Sequence, residues 1–216
     1  MVRKGLTKGK IVEAYIELLE EGGYKNFSVQ KLAEKLNVKA ASLYNHITNV
    51  DEINFEMGLK TAEDLVKAQL KAMEGKSRQE ALWALALAFR EFVFSRPESF
   101  KMIVVMPESI PARSRNYRLQ IQEPIMQVLS LYDISEEQRM HWYRILRSTM
   151  HGFVFYELVS WNYIHFPGDP LESYRMAVNN IILALESTER EYQSRSALLH
   201  DLEEKEKAAP KQEEPC

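Results

Sequence analysis

The sequence predicts an all-α protein of about nine helices. Three observations carry this. No stretch shows convincing period-two alternation, neither Asn-Gly nor Asp-Gly occurs to close a hairpin, and helix-capping residues recur just ahead of apolar runs at helical spacing.

The first helix is expected from about Thr7 to Glu21, with Ile11, Ala14, Tyr15 and Leu18 at the i, i+3, i+4, i+7 positions of one face. Gly22-Gly23 supplies the left-handed residue that ends it. Ser28 is an N-cap for a second helix carrying Val29, Leu32, Ala33 and Leu36, which Asn37 can close in a left-handed conformation. A short third helix spans roughly Lys39 to His46. A fourth opens at Asn49, with Glu52 as capping-box partner, and runs to about Met73. Ser77 with Glu80 is a second capping box, opening a helix that stops before Pro97. A shorter helix ends by Pro107, residues 108–115 read as a loop, and a helix over 116–131 contains Pro124 as a kink. Ser135 with Gln138 caps a long helix reaching about Ile164, about 43 Å at 1.5 Å per residue. Asp169-Pro170 is an N-cap followed by proline at the first helical position, and starts a last helix expected to reach about Glu186. The polar remainder is expected to be disordered.

With 216 residues, 45% of them hydrophobic, the chain can bury a sizeable core. The longest apolar run, Ala81 to Phe89, is nine residues against the roughly 20 that a membrane span needs. The start, MVRKGLTKGK, lacks the apolar stretch of a secretory signal, so a cytoplasmic protein is expected. The single cysteine, Cys216, excludes an intrachain disulfide framework and a cysteine zinc site. The net charge of −3 is unevenly spread. Residues 1–50 hold eight Lys/Arg against five Asp/Glu, a balance of +3, and residues 188–216 hold five against eight, a balance of −3. A basic head on an acidic body fits a small nucleic-acid-reading module joined to a larger unit. The expected division is a helix-turn-helix head over 1–50, a sensing and dimerisation body over 51–187, and a charged tail over 188–216.

The most informative stretch runs from Phe27 to Ile53, FSVQKLAEKLNVKAASLYNHITNVDEI. Leu43 and Ile47, four residues apart, can pack with Val38 against the preceding helix. Lys39, Ala41, Ser42, Tyr44 and His46 then face away. This small, polar, basic and aromatic set is what a recognition helix requires: close approach to base edges, hydroxyls for hydrogen bonds, and groups that hold phosphates. Taken singly, a Tyr or His on a helix is ordinarily just a packed or solvated side chain.

Over about residues 7–60 the sequence resembles the TetR/AcrR family of one-component repressors. The resemblance rests on Glu21-Gly22-Gly23-Tyr24, Ser28-Val29 with Leu32-Ala33, Asn37-Val38, Ser42-Leu43-Tyr44-x-His46-Ile47 and Asn49-x-Asp51-Glu52-Ile53. It implies a homodimer that binds double-stranded operator DNA and answers to a small-molecule effector. The candidate DNA-binding residues are Ser28, Gln30, Lys39, Ala41, Ser42, Tyr44 and His46. Ser28 has two roles open to it, phosphate binding at a helix N-terminus or plain N-cap. The family commonly has glycine where Ala41 stands and lysine where Val50 stands. Without that lysine, phosphate contact is expected to lean on Lys39, Lys8 and Lys10.

The body is rich in aromatic residues and methionine, by default core or interface. An effector pocket is expected among the helices at 77–96, 116–131 and 136–164. Its candidates are Phe89, Met102, Met106, Tyr117, Trp142, His151 and Phe155, a wall suited to an apolar or aromatic effector. Without a pocket the same residues are simply core. Met150-His151-Gly152-Phe153 resembles a His-Gly pair of one subgroup of TetR-family C-terminal domains. Mid-helix Gly152 costs about 1 kcal/mol relative to alanine, so either close helix packing or ligand space should need its small size. The last two helices, with Met176, Asn179, Asn180, Leu183 and Ser187 along the final one, are expected to pair with their copies in a four-helix bundle.

No Gly-rich phosphate loop, G-x-S-x-G or H-E-x-x-H occurs. Glu137 and His141 sit i, i+4 but have no third ligand in reach by sequence, so no metal and no cofactor is expected. The alternatives to a regulator are an all-helical enzyme or an interaction protein whose helix-turn-helix binds no DNA. Salt-sensitive binding to the protein's own promoter separates the regulator from both.

Overall fold

The computed structural model describes residues 5–105, 113–160, 165 and 167–208, the side chains of 102–105, 113–120, 203 and 205–208 excepted. Nine α-helices and no strand occur among the described residues. Helix α1 spans Lys8–Gly22, capped by the Thr7 hydroxyl, which accepts from the Lys10 N–H at 3.3 Å. It ends at Gly23, whose φ of 70° only glycine adopts without strain. A 3-10 turn over Tyr24–Asn26 leads to α2, Val29–Lys35, with Ser28 as N-cap. Asn37, at φ 53°, turns the chain into α3, Ala40–Leu43. Helix α4 is Val50–Met73, α5 Arg78–Ser95, α6 Pro97–Val105 and α7 Arg113–Leu129 with Pro124 inside it. Helix α8 is Glu136–Val159 and α9 Pro170–Ala208.

Several expectations need correction. Helix α3 has four α-helical residues rather than eight, although the Ile47 N–H still donates to the Leu43 carbonyl at 3.1 Å and carries the helical course on. Residues 113–115 are helical, not loop. The Ser77 hydroxyl makes no capping bond. Arg78 instead sits at φ 40°, pairs with Glu189 and stacks over the Tyr132 ring at 4.5 Å, so a tertiary anchor holds the start of α5 where a local cap was expected. Helix α8 ends at Val159, about 36 Å long. Residues 161–164 lie outside the described residues. Helix α9 runs to Ala208, well past Glu186, so the stretch through that residue is helical rather than disordered. By contrast, Ser135 and Gln138 form the full reciprocal capping box.

Two apolar cores result. The smaller gathers Ile11, Tyr15, Leu19, Leu32, Leu43, Ile47, Ile53 and Met57. The larger runs from Leu65 on α4 to Leu185 on α9 and includes Phe89, Phe100, Tyr132 and Tyr174. Helix α4 contributes to both, Ile53 and Met57 to the first and Leu65 and Met73 to the second, so one rigid rod joins head and body. In the larger core the Tyr174 hydroxyl donates to the Ala86 carbonyl at 2.9 Å, and Arg90 clasps the buried Glu157 carboxylate. Both tie α5 to the C-terminal helices, and each satisfies polar groups that would be costly if left unpaired.

Candidate nucleic-acid interface

The α2–α3 unit is held by its apolar side. Leu32 and Leu43 are fully buried, and Ala33 and Ile47 nearly so. Burying each larger side chain contributes roughly 1.5–3 kcal/mol, enough to hold so short a helix in place. The opposite side is open. Lys39, Ala41, Tyr44 and Asn45 are exposed, Tyr44 by 53%, while Ser42 and His46 are half-buried. Asn45 and Thr48 lie on this open side and were not foreseen. Their signal was position alone, beside Tyr44 and His46.

Ser28 performs the capping role, its hydroxyl accepting from the Lys31 N–H at 3.2 Å while the residue stays exposed. Gln30 is exposed in the first turn of α2 and reaches Glu34 at 3.4 Å. The lysines divide. Lys39 is exposed and makes no ion pair among the described residues. Lys8 is a strut between helices: its ammonium meets Glu52 at 2.5 Å and Glu56 at 3.5 Å, tying the start of α1 to the start of α4. That corrects its expected role as a phosphate ligand, since two carboxylates already compete for its charge. Lys10 donates to the Gly5 carbonyl at 2.8 Å. Glu52 completes the arrangement. Its N–H donates to the Asn49 side chain at 2.8 Å, and its carboxylate reaches back to the Thr48 N–H at 2.5 Å, one residue before the position a standard capping box would use. Hydrogen bonds from Lys8 first, and then from Thr48, hold the Glu52 carboxyl down to about 2.

In the body, Phe89 and His151 come together, ring centroids 4.6 Å apart, and both meet Phe100, at 5.6 Å each. Phe100 was missed because nothing in sequence links α6 to α8. Burial, and then the charge of Arg147, push the His151 imidazole down to about 4, so it is neutral at pH 7. Phe155 lies one turn beyond His151 on the same flank. Trp142 does not join them. Nine residues separate it from His151, two and a half turns, so it leaves α8 on the opposite side. Met106 lies outside the described residues, as do the side chains of Met102 and Tyr117. A Cβ built at Gly152 meets nothing within 4 Å, so no helix among the described residues needs the glycine.

Two family models match. The one described as "Bacterial regulatory proteins, tetR family" covers residues 11–53, and the one described as "Tetracyclin repressor-like, C-terminal domain" covers 82–181. The chain belongs to the TetR family.

This TetR-family chain is 25% identical over 158 residues to the HTH-type transcriptional regulator Rv0681 of Mycobacterium tuberculosis, covering 71% of each chain. It is 30% identical over 117 residues to the biofilm operon icaADBC HTH-type negative transcriptional regulator IcaR of Staphylococcus aureus, covering 54% of this chain and 62% of that one. A crystal structure of a glutamine-to-alanine variant of TetR from Acinetobacter baumannii AYE in complex with minocycline has the same fold, with TM-score 0.64 at 19% identity over 86% of this chain and 99% of that one. The protein is a DNA-binding transcriptional regulator.

In this regulator the head and body also meet away from α4. The Glu20 carboxylate of α1 accepts from the Glu98 and Ser99 N–H groups, at 3.1 and 2.8 Å, and from the Ser99 hydroxyl at 2.6 Å. An acidic side chain of the head thereby caps the first turn of α6, the helix that carries Phe100. Asp64 on α4 is held on its other side by Arg96 at 2.7 Å and Lys60 at 2.5 Å. The turn between α5 and α6 is therefore fastened to both α1 and α4.

Proposed function

We propose that the protein is a dimeric repressor that reads operator DNA through residues 39–46 and is released by a small apolar or aromatic effector bound in its helical body. The observation that carries the reading is the open face of the α2–α3 unit, presented by a buried apolar core. Tyr44 and Lys39 stand there with no partner among the described residues, ready for phosphates, and Ala41 and Ser42 allow close approach to base edges. Ser28 and Gln30 flank this surface, and His46, Asn45 and Thr48 extend it. The repressor role is supported by similarity to a negative regulator, and effector binding by similarity to a minocycline-bound fold. The reading makes the protein a binder in the cytoplasm, where operators lie, rather than an enzyme. It divides the chain near residue 50, although Ile53 and Met57 at the start of α4 still pack into the smaller core.

Dimerisation is assigned to α8 and α9. Ile145, Tyr156 and Val159 on α8 and Met176 and Leu183 on α9 are exposed apolar residues that a second copy would cover. Two recognition surfaces could then meet successive major grooves about 34–36 Å apart. The effector acts by preferring the arrangement that misses this spacing. Helix α6 is a route for that preference, since Phe100 touches the His151 cluster and Glu20 of the head holds the start of the same helix.

The test is operator titration over a range of salt with Lys39→Ala and Tyr44→Phe. Lys39→Ala should weaken binding across sequences and lower the salt slope by about 1. Unchanged affinity in both variants would rule out this surface as the reader.

A further inference from the structure

On α8, charge, polarity and apolar surface follow one another along a single flank. Arg147, His151 and Phe155 are spaced at i, i+4 and i+8, about 12 Å from first to last. Arg147 is half-buried, and its only hydrogen bond among the described residues goes to the Tyr143 hydroxyl at 3.0 Å. Arg90, Arg78 and Arg96 of the same body are each matched to a carboxylate: Glu157, Glu189 and Asp64. Arg147 has none among the described residues. One turn on, His151 lies against Phe89 and Phe100 and makes no hydrogen bond to any described residue. A half-buried guanidinium without an anion among the described residues, beside an imidazole with hydrogen-bonding capacity to spare, suits an acidic group. A neutral apolar ligand would dry the site and leave that charge uncompensated.

We infer that the effector is an amphipathic monocarboxylate, its carboxylate held by Arg147 and its apolar body laid along His151 and Phe155. The inference rests on the effector site of the proposed function and names its chemistry. Arg147 supplies two parallel N–H donors to the carboxylate, and His151 supplies one hydrogen bond at the boundary of head and body. The aromatic rings take the rest by area.

The experiment uses the full chain with two matched probe pairs, 2-naphthoate against 2-naphthamide and decanoate against decanol. The readouts are the Tm and operator affinity. At least one acid should raise Tm and weaken operator binding, and its neutral partner should need about tenfold to a hundredfold higher concentration. Arg147→Met should erase that preference, and Arg147→Lys, which keeps the charge, should retain part of it. Equal action of acid and neutral partner, an unaltered preference in Arg147→Met, or no shift by any of the four probes overturns the assignment. Operator binding is measured first without ligand. Its absence would defeat the regulator reading, while the Tm comparison would still decide the ligand class.

Discussion

One carboxylate oxygen of Glu20 accepts both the backbone N–H and the hydroxyl of Ser99, which is fully buried. This contact joins two residues 79 positions apart and fastens the head to the first turn of α6. Removing the carboxylate leaves buried donors without an acceptor. Glu20→Ala should therefore cost about 1–3 kcal/mol in urea denaturation. All three tryptophans are in the body, so their fluorescence should lag behind the far-UV signal as the loosened head unfolds first. Coincident transitions with unchanged stability would show the contact to be idle.

Acid should loosen the contact between the start of α1 and the start of α4. Glu52 ionises at about 2 in the folded protein against 4.5 for the free side chain. Because the folded value is depressed, its contribution is complete above about pH 4.5 and is lost as pH falls toward about 2. Lys8→Met removes the first cause of the shift. The variant should show a weaker acid dependence of helicity in this window than the parent protein, measured by far-UV circular dichroism.

His151 gives a second pH dependence in a different window. Its folded value is about 4 and its ordinary value 6.5, so the unfolded chain binds the proton first. Stability contributed by keeping the imidazole neutral is full above about pH 6.5 and declines as pH falls to about 4. The loss is on the order of 3 kcal/mol. Denaturant titrations of His151→Phe should lack that slope between pH 6.5 and 4. A slope equal to that of the parent would place its origin elsewhere.

Gly152 lies mid-helix on α8, flanked on the same face by exposed Ile145, Tyr156 and Val159. Since none of the described residues approaches a Cβ there, Gly152→Phe should leave the monomer folded. If the partner's helix packs closely on this face, the added ring separates the copies. Sedimentation should then report a monomer at micromolar concentration with helicity retained, and a variant that stays dimeric would move the interface away from Gly152.

Much of the fold could be read locally. Thr7, Ser28, Asn49 and Ser135 cap the helices that follow them, and Asn37 takes its left-handed turn, because a cap or a turn is decided by three or four neighbouring residues. The face of 39–46 was likewise legible, since helical spacing alone sends Leu43 and Ile47 inward and Tyr44 outward. Tertiary structure decided the rest. Ser77 lost its capping role because Arg78 is bound by Glu189, 111 residues away. Lys8 became a strut because α4 brings two carboxylates to it. Phe100 reached His151 because α6, held at its start by Glu20 of α1, sets its ring against the imidazole on α8. A sequence states which side chains can make a contact. The meeting of residues far apart in the chain follows only from how the helices pack, where burial of the whole apolar surface outweighs any single local preference.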